Sequence, residues 1–237
     1  MLWPLGKMWS IEAVLLYNGA ALLILSHLDW LLKRYTAAGR HSTRWFRLHS
    51  LANIIIATAA HSDVMDCLQD PARSSETTST EWARAFALSL HIYHALAFHL
   101  RSEDWWHHVI SVYICAPVCI VNDTKAFSVN YFFCTGAPGA IDYAALSLVR
   151  SGHIPRLTQK RLGSYLNAYV RMPGGCYGAY LIARNAFSAP GGWSPGLAAT
   201  AMILYVNSAH YGRQAIASSA AAEAVARLKP RTPIAET

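Results

Sequence analysis

One stretch, Leu90 to Ser111, reads LHIYHALAFHLRSEDWWHHVIS and holds five of the chain's eleven histidines: His91, His94, His99, His107 and His108. It also holds two neighbouring acids, Glu103 and Asp104, and the tryptophans Trp105 and Trp106. Imidazole can take up or release a proton near neutral pH, and it can bind a metal. Two helices joined by a polar turn at Arg101–Asp104 would put His91 and His94 on one face of the first, three residues apart. Asp104 would precede His107 and His108 by three and four residues, within side-chain reach on a helix. Adjacent helical residues point about 100° apart, so His107 and His108 cannot both face one reacting atom. Ionisable groups in apolar surroundings are costly, and that cost marks the stretch as a candidate site. The competing reading is that these rings sit at helix ends and bridge neighbouring helices. Four imidazoles (His91, His94, His107, His108) suit iron or zinc, but the chain has only one HxxH and one HH pair. Hydrogen-bonded histidines therefore outweigh a metal centre, and neither a metal nor a cofactor is expected.

The elements that must position these residues are apolar. Of 237 residues, 54% are hydrophobic and only 14% charged, against about 25% charged in a soluble domain. An all-α polytopic membrane bundle is expected. Seven stretches approach the roughly 20 apolar residues a span needs: about 11–32, 46–68, 82–100, 105–121, 126–149, 162–187 and 197–218. Pro117 should kink the fourth, and Gly136, Pro138 and Gly139 should break or bend the fifth. The acidic, Ser/Thr-rich 70–81 loop gives no reason for helix. Residues 1–217 read as the transmembrane domain, and residues 218–237 as an Ala-rich to charged tail, frayed at its end. Lys7 before a long apolar run suggests a first span rather than a cleaved signal.

Of the 20 Lys and Arg residues, fourteen fall on one side of this arrangement. They are Lys33, Arg34, Arg40, Arg44, Arg47, Arg101, Arg150, Arg156, Lys160, Arg161, Arg213, Arg227, Lys229 and Arg231. Lys7, Arg73, Arg84, Lys125 and Arg184 fall on the other, and Arg171 lies within a span. The bias puts the C-terminus on the cytosol-like side. The net charge of +7 forms no continuous stripe, so no nucleic-acid partner is expected. The five cysteines suggest no disulfide framework and read as packing residues. Trp30, Trp45, Trp82, Trp105 and Trp106 fall near helix ends, as an aromatic belt would. Asp142 and Arg171 are an available ion pair.

Over about residues 30–211 the order of features resembles the TLC domain, the membrane fold of ceramide synthases and other lipid-related proteins. RWFRLHSLANIII (44–56) is similar to its basic, Leu-His-containing helix start. EDWWHHVISVY (103–113) resembles its acid followed by a double histidine, and TGAPGAIDYAALSLVRSG (135–152) its small-residue and proline segment. Two features depart: Tyr93-His94 stands where the family has Tyr-Asp, and AFSVNYFFCTGAPG carries no His-Asp. The resemblance implies handling of acyl lipids within the bundle, with acyl transfer from a thioester to an amine or hydroxyl as the associated chemistry. The implied catalytic set is His107 or His108 as base, Asp104 to orient it, and His94 facing them. The alternative is a non-catalytic accessory subunit of a larger, organellar membrane complex. The expected partners are membrane lipids and, in the second reading, other membrane subunits. The expected location is the endoplasmic reticulum or a mitochondrial-type organellar membrane.

Overall fold

Apolar sequence with helical periodicity becomes seven helices in the computed structural model, which describes residues 10–35, 41–188 and 192–228. They are α1 (Ile11–Tyr35), α2 (His41–Gln69), α3 (Trp82–Ala97), α4 (102–121), α5 (Lys125–Arg150), α6 (156–187) and α7 (Pro195–Leu228). No strand occurs among the described residues. Lys7, Arg40, Lys229 and Arg231 lie outside them, as does part of the Gly/Pro turn before α7. Four helical stretches are long and apolar enough to cross a membrane: Ile11–Tyr35, Thr43–Gln69, Asp104–Val121 and Lys125–Arg150. The shortest helix, α3, has 16 residues, about 24 Å at 1.5 Å per residue.

Helix α2 is the axis of the bundle. With α1 and α3 it buries Leu25, Leu48, Ile56 and Phe86. Its C-terminal end shares a second core with α5, α6 and α7, built from Val64, Phe127, Val129, Leu181, Ile182 and Leu197. The surface is apolar as well: Leu15, Leu16, Leu23, Ile54, Leu96, Tyr113 and Phe187 are exposed. Acids are buried instead, Asp29, Asp63 and Glu81 each at 1% exposure or less. Large apolar side chains outside and paired charges inside is the distribution that lipid, not water, stabilises.

Three π-helical turns interrupt the rods, at Val109–Cys115, Tyr131–Gly136 and Asn167–Arg171. Each ends two residues before a proline: Pro117, Pro138 and Pro173. Proline lacks an N–H and its ring collides with the carbonyl four residues back. Those carbonyls belong to Tyr113, Cys134 and Tyr169, all within the widened turns. The helices therefore absorb their prolines without breaking. The break or bend expected near Gly136 is a π-turn, and the same device recurs before Pro173, which Gly174 and Gly175 follow.

Three expectations are revised. Helix α6 begins at Arg156 rather than near 162. Helix α7 runs on to Leu228, because alanines are strong helix formers and Arg161 holds Glu223 at 2.9 Å. The 70–81 loop contains a 3-10 turn, Pro71–Ser75, started by Asp70, whose carboxylate accepts from the Ala72 N–H.

The two ends of the bundle differ in charge. At one end Arg47 of α2 donates to Ser147 of α5, and the start of α6 pairs with the end of α7. At the other, Lys125 reaches Glu76 and Asp66 at 2.6 and 2.7 Å, and Asn185 of α6 binds Ser74. Buried Asp63 accepts from Ser128 of α5 and from the Thr78 hydroxyl and Ser79 N–H of the loop. All five cysteines are free thiols, buried or half-buried.

Candidate functional site

The short connection at residues 98–101 turns the chain back on itself, so α4 starts beside the end of α3. This brings His91, His94, His107 and His108 together. His91 lies 4.9 Å from His107 and 5.0 Å from His108 between ring centroids, and His94 lies 5.1 Å from His108. His94 and His108 are buried, at 8% and 7% exposure; His91 and His107 are half-buried and His99 is exposed.

Hydrogen bonds fix the protons. His91 Nδ1 is 2.7 Å from the Ala87 carbonyl and His108 Nδ1 is 2.6 Å from the Asp104 carbonyl. A carbonyl oxygen only accepts, so both Nδ1 atoms carry the proton in neutral rings. The Nε2 of His91 is then an acceptor, and His107 Nε2, 3.0 Å away, donates to it. His107 is thus committed to a bridge between α4 and α3. His108 Nε2 is left as a lone-pair acceptor that is buried and has no hydrogen-bond partner among the described residues. Helical geometry separates the neighbouring pair into a bridging ring and an available one.

Asp104 is placed differently from the expected orienting acid. Its carboxylate accepts from the backbone N–H, Nε and Nη2 of Arg101 at 3.0–3.2 Å. It closes the first turn of α4, where a helix N-terminus favours an acid. The backbone carbonyl of Asp104, not its side chain, orients His108. Asp142 and Arg171 likewise have other partners: Asp142 accepts from Gln159, and Arg171 donates to Asn167.

Residues outside the histidine-rich stretch complete the site. His94 stacks on Trp45 at 3.8 Å and 15°. Trp45 meets His49 at 4.8 Å, and His49 stacks on Tyr143 at 3.7 Å. The rings of His108, His94, Trp45, His49 and Tyr143 thus form a continuous row across α4, α3, α2 and α5. His49 Nδ1 is buried without a hydrogen-bond partner among the described residues. Beside the row, Asp29 accepts from Tyr93 at 2.9 Å and pairs with Arg44 at 3.0 Å, and Arg44 lies over the Phe98 ring. This ion pair anchors α1, α2 and α3 where the row passes. The sequence signal for His49 was its place in RWFRLHS and for Tyr143 its place in TGAPGAIDYAALSLVRSG; Tyr211, 6.5 Å from His107, carried none. Trp45 stacks on His94 and Trp82 meets the Tyr17 ring edge-on, whereas Trp30, Trp105 and Trp106 are exposed.

Among the described residues no three His, Cys, Asp or Glu side chains are disposed to share a metal ion. The His91–His107 bond explains part of this, because it turns their Nε2 atoms toward each other. Comparison with protein-family models, with curated proteins and with solved structures returns no match.

Proposed function

We propose that this chain is a TLC-like membrane protein that takes an acyl lipid into its helix bundle, with His108 as the proton acceptor in acyl transfer. In this reading all seven helices cross the membrane. The observation that carries it is the unpaired, buried Nε2 of His108, its basic lone pair fixed by the Nδ1–H bond to Asp104 O. An imidazole held so can take the proton of a hydroxyl or amine as its oxygen or nitrogen bonds to the acyl carbon of a thioester. The carbon–sulfur bond breaks, and the departing thiolate receives the proton from the imidazolium. His94, on its Trp45 stack, packs against His108. His107 acts through its bridge to His91.

One observation favours a second reading, a non-catalytic subunit of a larger membrane complex. Arg101 occupies the Asp104 carboxylate, so His108 has no acidic partner. The two readings separate on His108→Ala and His107→Ala, with copurifying lipid, acyl transfer and assembly size as readouts. Loss of a general base lowers a rate by about 10²–10⁴-fold with the fold intact. Loss of a bridging ring costs about 1 kcal/mol of stability or less. The expected result is that His108→Ala loses lipid content or turnover while His107→Ala lowers only stability. If both variants keep lipid and turnover and instead weaken a multi-subunit assembly, the second reading replaces the first.

A further inference from the structure

A cavity of about 680 Å³ opens at the basic end of the bundle, between α5, α6, α7 and the start of α4. Four cations line it: Arg101 from the turn before α4, Arg150 of α5, and Arg156 and Lys160 of α6. Among the described residues the one carboxylate in the lining is Asp142, and it accepts a hydrogen bond from the buried Gln159. Arg101 is neutralised by Asp104, and Lys160 donates to the Ser218 hydroxyl. Among the described residues Arg150 and Arg156 make no ion pair. An orientation signal accounts for the sign of these residues but asks only that they lie on one side. It does not ask that they converge on one hollow.

We infer that this cavity binds a phosphate group, carried by a membrane lipid headgroup or by a soluble phosphate ester. Guanidinium groups present forked donors that match phosphate oxygens. A carboxylate brings two oxygens and one charge, whereas a terminal phosphate brings three free oxygens and up to two charges to the two guanidiniums, Arg150 and Arg156, that make no ion pair among the described residues. Basic pockets between helices at headgroup depth are suited to anionic headgroups. The inference is independent of the histidine chemistry, although Tyr211 both lines the cavity and meets the His107 ring.

The test uses the purified full-length chain in a neutral detergent and follows its thermal midpoint. Three probes are added at fixed ionic strength: phosphatidic acid, diacylglycerol with the same tails, and inorganic pyrophosphate. A saturable rise with phosphatidic acid but not diacylglycerol supports a lipid phosphate. A rise with pyrophosphate at equal or lower concentration supports a soluble one. In Arg150→Gln/Arg156→Gln the concentration needed should increase about tenfold for each guanidinium lost. In Arg34→Gln/Arg213→Gln, which removes exposed cations outside the cavity, it should not change. Leu146→Trp, which fills the hollow without altering charge, should abolish the rise and serves if the arginine variant does not fold. The inference is overturned if no probe raises the midpoint, if diacylglycerol matches phosphatidic acid and pyrophosphate does nothing, or if both arginine variants respond like the wild type.

Discussion

The proton on His108 Nδ1 is held by a backbone carbonyl, and this has a consequence at the scale of single residues. Where a carboxylate side chain holds a catalytic imidazole, Asp→Asn costs about 10⁴ in rate because the wrong tautomer forms. Here the carbonyl survives substitution, so Asp104→Asn should retain turnover to within about tenfold of wild type. The same variant loses the charge that pairs with Arg101 at 3.1 Å, at an exposed position where an ion pair contributes about 1 kcal/mol at most. Assays of lipid content and acyl transfer on Asp104→Asn beside His108→Ala check this. A loss in Asp104→Asn as deep as that in His108→Ala would mean that the carboxylate does the orienting.

At the scale of elements, α6 is held against its neighbours by a strip of small residues. An added Cβ at Gly178 would lie 3.2 Å from the Asn130 backbone of α5, whereas at Gly19 of α1 it would meet nothing within 4 Å. Close helix approach in membranes depends on such positions. Gly178→Ala should lower stability by about 1–3 kcal/mol, as overpacking does, and Gly19→Ala should be neutral or stabilising by about 0.5–1 kcal/mol. Thermal unfolding in detergent distinguishes the two. The 70–81 loop is latched to α5 by Lys125 through Glu76. Hydrogen bonds from Lys125 and then Arg73 hold Glu76 below its ordinary carboxylate range. A depressed folded pKa contributes stability that is fully present above the unfolded value, about 4.3, and is lost as pH falls through the folded value. The wild type should lose thermal stability as the medium is acidified below about pH 4.5, and Glu76→Gln should lose less over that window. Equal slopes for both proteins would remove Glu76 from the latch.

At the scale of the whole molecule, the contrast between the two ends predicts how the bundle sits in a membrane. Arg101, Arg150, Arg156 and Lys160 gather at one end, while the 70–81 loop is tied down at the other by Lys125, Asn185 and Arg184. A cysteine at exposed His153 and one at exposed Thr77 should therefore label from opposite faces in sealed vesicles, with His153→Cys on the cytosol-like face. The native thiols, buried or half-buried, give a low background. Labelling of both positions from one face would remove the seven-span topology.

The seven helices were legible in the chain itself, because a run of apolar residues specifies a helix wherever backbone groups have no water to bond. The neighbouring placement of α3 and α4 was legible too, since a four-residue connection leaves no other course. Pro117 and Pro138 announced irregular turns, but proline in sequence shows only a missing N–H. Whether the helix breaks or widens into a π-turn depends on the neighbours packed around it. The histidine-rich stretch announced a site by composition. The sequence could not separate His107 from His108 in role, because that depends on which ring meets the Nε2 of His91. Nor could it show that Arg101 takes the Asp104 carboxylate, that His49 and Tyr143 extend the ring row, or that three separated basic segments enclose one cavity. The ring row and the cavity join residues far apart in the chain, and the Arg101–Asp104 pair depends on which way two neighbouring side chains settle. Periodicity reports which face of a helix is apolar, and only packing decides what that face meets.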